Sequence, residues 1–238
     1  MNASSNKKKI STVLILAAIL VMPGFLYYLL QDQGKNRYKP LAIFGPKQVA
    51  STFHSVRGKQ VPDTIYHVVQ DFKLVNQNGD SLTLDSWKGK VIVANLFYSK
   101  VNSGSATTTF TTLQGFDKQY HKNQMLHLAS ISVDGRDDVN ALKTFADSWK
   151  AAPPKWNILG GDTSTINQLV KQSLLLDAVN QSTPSERKFI YSNKFVLLDS
   201  KHRIRGFYDA ASKAAVSKLD DEIKVLIAEE LRNIKDGR

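Results

Sequence analysis

The chain has 238 residues with 32 Lys/Arg against 21 Asp/Glu, a formal net charge of +11, and no cysteine. The missing thiols exclude thiol–disulfide exchange, a peroxidatic cysteine and a thiolate site for a soft ion such as Cu(I). The charge is uneven, with +3 in residues 1–30, +5 in residues 31–60 (six Lys/Arg against Asp32) and +3 in residues 61–238. Basicity gathered near one terminus suits anionic headgroups better than the basic face of a nucleic-acid binder.

Residues 1–9 form a polar N-terminus that ends in Lys7, Lys8 and Lys9, and residues 10–30 (ISTVLILAAILVMPGFLYYLL) are almost unbroken apolar sequence. That run is long enough to cross a bilayer. A cleaved signal peptide is the competing reading, but its apolar region would be shorter and would end in small residues, whereas this one ends in Tyr27, Tyr28, Leu29 and Leu30. An uncleaved transmembrane anchor is therefore expected, with Pro23 and Gly24 bending or locally unwinding the helix and the tyrosines at the interface. Lys35, Arg37 and Lys39 on the far side leave the positive-inside rule little to discriminate. The three lysines abut the apolar run directly, which favours a single pass in the cytoplasmic membrane with the large domain outside, in the periplasm of a two-membrane cell. Residues 31–62 carry Gly34, Pro40, Gly45, Pro46, Gly58 and Pro62 without strand or helix periodicity and read as an extended juxtamembrane arm. Its Leu41, Ile43 and Phe44 are candidates to pack on the domain surface.

Residues 63–238 read as one domain. Residues 72–75 (FKLV) and 81–84 (SLTL) flank Asn76-Gln77-Asn78-Gly79, and the Asn-Gly pair predicts a hairpin. Residues 91–97 (VIVANLF) form the continuous apolar run of a buried central strand, and 126–133 (LHLASISV) a second. Residues 195–198 and 204–208 predict a later antiparallel pair turning at 200–202. Helices are predicted over 107–120, 138–149, 164–176 and 212–231; in the last, Val216, Leu219, Ile223, Leu226, Ile227 and Leu231 form one apolar stripe. This order predicts an α/β fold, a thioredoxin-like sandwich following an N-terminal transmembrane helix.

Motifs for independent chemistry are sparse. His54, His67, His121, His127 and His202 include no i,i+4 pair and no His-Glu-x-x-His pattern. The hydroxyl-rich residues 103–112 lack a Gly-x-Ser-x-Gly elbow, which leaves only a triad assembled in space for a hydrolase. Gly160-Gly161-Asp162-Thr163-Ser164 lacks the Lys-Ser/Thr ending of a P-loop and reads as a turn with a helix cap. The small polar loop at 99–105 would present backbone donors at a helix N-terminus.

Five blocks in order carry a family resemblance: YKPLAIFGPK (38–47), the stretch from PDTIYHVVQDF to VIVANLFYS (62–99), SVDGRDD (132–138), KWNILGGD (155–162) and FIYSNKFVLLDSKHRIRGFYD (189–209). Together they resemble bacterial Sco/SenC proteins. The resemblance implies a membrane-anchored thioredoxin-like domain, a role in copper delivery to cytochrome c oxidase and related thiol chemistry. It also implies where that chemistry should be and is not. The family's Cys-x-x-x-Cys pair falls on Val101 and Ser105, and its histidine ligand, in an "HS…F(V/L)L(V/I)D" block, falls on Tyr191. Valine offers no lone pair, serine is a weak hard donor, and a phenol with an ordinary pKa near 10 is protonated at neutral pH. Copper is expected to be lost and no other cofactor is expected. Asp134 and Asp138 match the ends of the family's Asp-Pro-Glu-Arg-Asp block and are candidates for a retained interaction surface, Asp138 doubling as a helix cap.

The reading is a membrane-anchored Sco-like protein without copper-binding or thiol redox residues. It is expected to be an accessory or protein-binding factor in oxidase assembly or copper homeostasis rather than an enzyme. Its expected partners are the bilayer and a respiratory oxidase or copper-delivery protein; no nucleic acid or small-molecule substrate is indicated. The alternative is a divergent metal-binding protein with non-cysteine ligands, although Met1, Met22 and Met125 are too few for a methionine-rich copper site. Hydroxyl-based enzymatic chemistry is a third reading.

Overall fold

The computed structural model describes residues 15–17, 19–28, 40–56, 58–100, 104–183 and 186–235. The chain divides into two units, Met1–Pro40 and Leu41–Arg238. In the first, residues 15–17 and 19–28 are helical, through Pro23 and Gly24, and their side chains are exposed. Among the described residues no helix is long and apolar enough to cross a membrane. Residues 10–14, 18, 29 and 30 of the expected anchor lie outside them.

The second unit is built on a seven-stranded sheet. Its strands are β3 (Lys73–Asn76), β4 (Ser81–Thr83), β5 (Val91–Phe97), β6 (Leu126–Ser132), β7 (Trp156–Gly160), β10 (Lys194–Leu198) and β11 (Ile204–Asp209), in the spatial order β11-β10-β5-β6-β7-β3-β4. β5, β6 and β7 are parallel, and the flanking pairs run antiparallel. The helices are α1 (Gly104–Gln119), α2 (Val139–Trp149), α3 (Thr163–Gln168), which continues into a π turn over Leu169–Ser173, and α4 (Lys213–Lys235).

Alternation along β5 explains the layers, because successive side chains point to opposite faces of a strand. Val91, Val93 and Phe97 pack with Phe110, Leu113, Leu142, Leu219 and Ile223 of α1, α2 and α4. Ile92, Ala94 and Leu96 pack on the other face with Ile166, Leu169, Val170 and Trp87. A strand buried on both faces has no polar side to alternate with, which is why it reads as one apolar run.

The expected hairpin forms as β3 and β4. Gly79 takes φ +84°, and the Asn76 side chain accepts from the backbone N–H groups of Asn78 and Asp80, each at 2.9 Å. Both predicted caps are present: Asp138 accepts from Ala141 N at 2.8 Å at the start of α2, and Asp162 accepts from Ser164 N and Thr165 N at the start of α3. The helix expected over 164–176 is shorter, since it gives way to the π turn and Leu175 adopts φ +54°.

The arm reading is corrected. Residues 47–66 form a two-stranded hairpin, β1 (Lys47–Val56) with β2 (Lys59–Tyr66), separate from the main sheet, and the 62/63 boundary falls inside β2. The hairpin is exposed on both faces, with Val49 77% and Phe53 60% exposed, so no face imposed a period-2 polarity on the sequence. The residues before it are fastened to the domain. Phe44 N donates to Ile204 O at 2.8 Å, and its ring meets Phe207 edge-on at 5.9 Å. The Leu41 carbonyl accepts from Arg205 Nη2 at 2.8 Å. Arg205 is itself buried, pairing with Asp199 at 3.0 Å and Glu229 at 3.0 Å.

Candidate functional site

The loops after β5 and β6 meet at the C-terminal end of the parallel strands, the end where open α/β sheets generally place ligands. β5 leads into buried Tyr98 and half-buried Ser99. β6 leads into Asp134, and Asp138 then starts α2. Asp137 ties the two loops together: Ser99 Oγ donates to its Oδ1 at 2.9 Å and Ser132 Oγ to its Oδ2 at 2.6 Å.

A second hairpin lies over this end, β8 (Ala178–Asn180) with β9 (Phe189–Tyr191). Phe189 packs on Tyr98 with ring centroids 5.0 Å apart. Arg187 reaches Asp134 at 3.2 Å, and Arg136 holds the same carboxylate at 3.0 Å through Nε and at 3.1 Å through its backbone N–H. Burial pushes the Tyr98 phenol above its ordinary pKa, and the Asp134 charge adds to this while Arg187 opposes it.

Of the sequence-predicted positions, Val101 lies outside the described residues, and Ser105 is in the first turn of α1. Tyr191 is half-buried on β9. Burial raises the Tyr191 pKa, partly offset by a backbone hydrogen bond from Tyr98, so Tyr191 sits beside the end of β5 and stays a neutral phenol at neutral pH. Asp138 is exposed and works as a helix cap. Asp134 is corrected as a contact residue, because its side chain is only 2% exposed and its oxygens are taken by Arg136 and Arg187.

Sequence reasoning passed over Asp137, Ser132 and Arg187, and read Ser99 only as part of a loop presenting backbone donors. The available signal for Asp137 was a third acid within the Asp134–Asp138 turn; nothing local marked Arg187, whose partner is 53 residues away. The histidines are engaged elsewhere: His54 with Asp63 at 2.6 Å, His67 with Ser173 O at 2.8 Å, and His121 and His127 with the Lys118 and Gln124 carbonyls. His202 occupies the β10–β11 turn at φ +60°. Among the described residues no group of three or more His, Cys, Asp or Glu is placed to hold a metal ion.

Central parallel strands flanked by antiparallel pairs, with helices on both faces and a loop-built site at the C-terminal end, define a thioredoxin-like α/β domain. The chain belongs to the SCO1/SenC family, whose family model matches residues 61–227. It is 25% identical over 171 residues to the SCO1 protein homolog of Bacillus subtilis (strain 168), covering 70% of this chain and 86% of that protein. The crystal structure of a SCO1/SenC family lipoprotein from Bacillus anthracis str. Ames is similar with a TM-score of 0.60 at 21% identity, over 68% of this chain and 95% of that one. Bradyrhizobium japonicum ScoI with copper bound is similar with a TM-score of 0.55 at 21% identity, over 65% of this chain and 98% of that one. At these identities the solved structures establish the fold.

The residues present do not fit Cu(I). The chain has no sulfur donor other than three methionines, and the phenol near the end of β5 is held neutral. Soft d¹⁰ copper favours thiolate and thioether donors over hydroxyls.

Proposed function

We propose that this chain is a membrane-anchored accessory member of the SCO1/SenC family that acts by binding a protein partner in oxidase assembly or copper homeostasis, without carrying copper or exchanging disulfides. The observation that carries the reading is a chain with no thiol anywhere whose loop scaffold is still braced by Ser99–Asp137–Ser132 and Arg187–Asp134. Val101, Ser105 and Tyr191 stand at the positions of the family's ligands. No enzymatic step is assigned to the domain. With Asp134 buried, contact falls to the exposed parts of Arg136, Arg187 and Asp138.

Residues 10–30 form a single-pass anchor in the cytoplasmic membrane, and the domain from Leu41 onward lies on the periplasmic side. Support for the anchor comes from the length of the apolar run and the lysines abutting it.

Two measurements test the proposal. In a Cu(I) competition against a chelator under reducing conditions, the full chain should take no copper; stoichiometric tight binding overturns the reading in favour of a metal-binding protein with other ligands. Crosslinking and pull-down from solubilised membranes should return a respiratory oxidase or copper-handling protein. Recovery of neither counts against the partner role.

A further inference from the structure

At the opposite end of the sheet, just ahead of β5, β6 and β7, a cavity of ≈ 500 Å³ is walled by Lys90, His121, Asn123, Gln124, His127 and Lys155, with Pro154 completing it and no carboxylate in the wall. Both ammonium groups are fixed in place by one loop. Lys155 Nζ donates to the Asn123 and Leu126 carbonyls, each at 2.7 Å, and Lys90 Nζ donates to the Gln124 carbonyl at 3.0 Å. An ammonium has three N–H donors, so these bonds leave one on Lys155 and two on Lys90. Among the described residues neither lysine forms an ion pair.

The imidazoles are held in a similar way. His121 Nδ1 donates to Lys118 O at 3.0 Å and His127 Nε2 to Gln124 O at 3.3 Å, and the Pro154 backbone also holds His127, which leaves Nε2 of His121 uncommitted. The charges work against one another. Lys155 is pushed down to about 8 by burial, with Asp117 opposing and Lys90 adding to the shift. His127 is lowered by burial and by Lys90. Asp117, whose own pKa is raised by burial, is the nearby acid, offset by Lys155, His121 and Lys118.

We propose that this cavity is a binding site for a phosphate group, held by Lys90 and Lys155 with His121 and His127 beside them. Two positioned ammonium groups in no ion pair, with Asp117 nearby but outside the wall, converge from separate loops and match a multiply charged oxyanion. Its charge would relieve the repulsion that the lysines impose on each other and on His127. A purely structural role for the lysines, bracing the carbonyls of residues 123–126, uses only three of their six N–H donors.

The test is calorimetric titration of inorganic phosphate into the full chain in zwitterionic detergent, against a chloride background, with the His127 ring followed by NMR. A second arm replaces free phosphate by phosphatidic acid in the micelle. The expected result is saturable binding that Lys90→Gln and Lys155→Gln each weaken about tenfold, that Lys118→Gln leaves unchanged, and that raises the pH at which His127 titrates. Binding of free phosphate identifies a soluble ligand; a His127 shift confined to the phosphatidic acid arm identifies a lipid headgroup. Lys155→Gln also removes two loop braces, so Lys90→Gln is the deciding variant. Absence of saturation in both arms, or binding that Lys90→Gln leaves intact, overturns the proposal.

Discussion

At the C-terminal end of β5 and β6 two carboxylates, Asp134 and Asp137, are buried with their oxygens taken up by arginines and hydroxyls. At the N-terminal end two lysines and two imidazoles face a cavity with no acid in its wall. The first end is electrically closed, and positive charge has collected at the other. Native proteins rarely leave buried polar groups without partners, and strongly perturbed titrating groups gather at functional sites. The search for ligands in this chain therefore belongs at the lysine end, and the search for partners at the braced end.

The largest test of that contrast is to restore donors at the braced end. The triple substitution Val101→Cys, Ser105→Cys and Tyr191→His should let the chain take Cu(I) stoichiometrically from a chelator that outcompetes the parent chain, because soft donors are what that end lacks. A restored chain that still takes no copper would show that the loop has changed along with its residues.

Next in size is Asp199→Ala. It leaves Arg205, 1% exposed, with one carboxylate fewer, and should cost about 3–5 kcal/mol in denaturant unfolding. A value near zero would mean that Glu229 and the Leu41 carbonyl suffice to compensate the guanidinium.

An intermediate effect follows from Lys155, whose pKa is lowered from 10.5 to about 8. Between those values the unfolded chain holds a proton that the folded chain has released. The penalty for burying the charged amine is complete below about pH 8 and fades as pH rises to 10.5. Relative to Lys155→Gln, the parent chain should gain stability across that window. Thermal melts of both proteins at pH 7, 8, 9 and 10 would reveal a flat difference if the lysine were well solvated.

The smallest effect expected is from Asp138→Ala. Loss of the cap on α2 should cost about 1 kcal/mol and weaken partner capture. A variant that loses that stability but captures the partner as well as the parent chain would make Asp138 a cap and nothing more.

The parts of this fold that could be read in advance are those where local chemistry and tertiary role agree. The Asn78-Gly79 turn, the caps at Asp138 and Asp162, the doubly buried run of β5 and the apolar stripe of α4 as far as Ile227 each signal through a neighbour or a fixed period, whereas Leu231, the last residue expected in that stripe, is exposed. β7 did not, because Trp156–Gly160 is short, fully buried and mixed in composition. Hairpin β1–β2 did not because neither face is covered. At the site, the substituted ligand positions were legible as residue types, but the braces were not. Arg187–Asp134 and Ser99–Asp137 join residues 53 and 38 positions apart, and only folding brings them together. The lysine cavity was hidden for the same reason, since Lys90 and Lys155 precede two different strands, His121 follows a helix, and together they form no motif along the chain.

The attachment of Leu41 and Phe44 has a mechanical meaning. A pull arriving along the chain from ahead of Leu41 is taken first by the Leu41 carbonyl on Arg205 and by the Phe44 bridge to Ile204. From there the load passes into the edge of the sheet at β11 and, through Glu229, into α4. Hairpin β1–β2 comes after this clasp and lies outside the line of force, so the domain hangs from its sheet edge while the hairpin carries no tension.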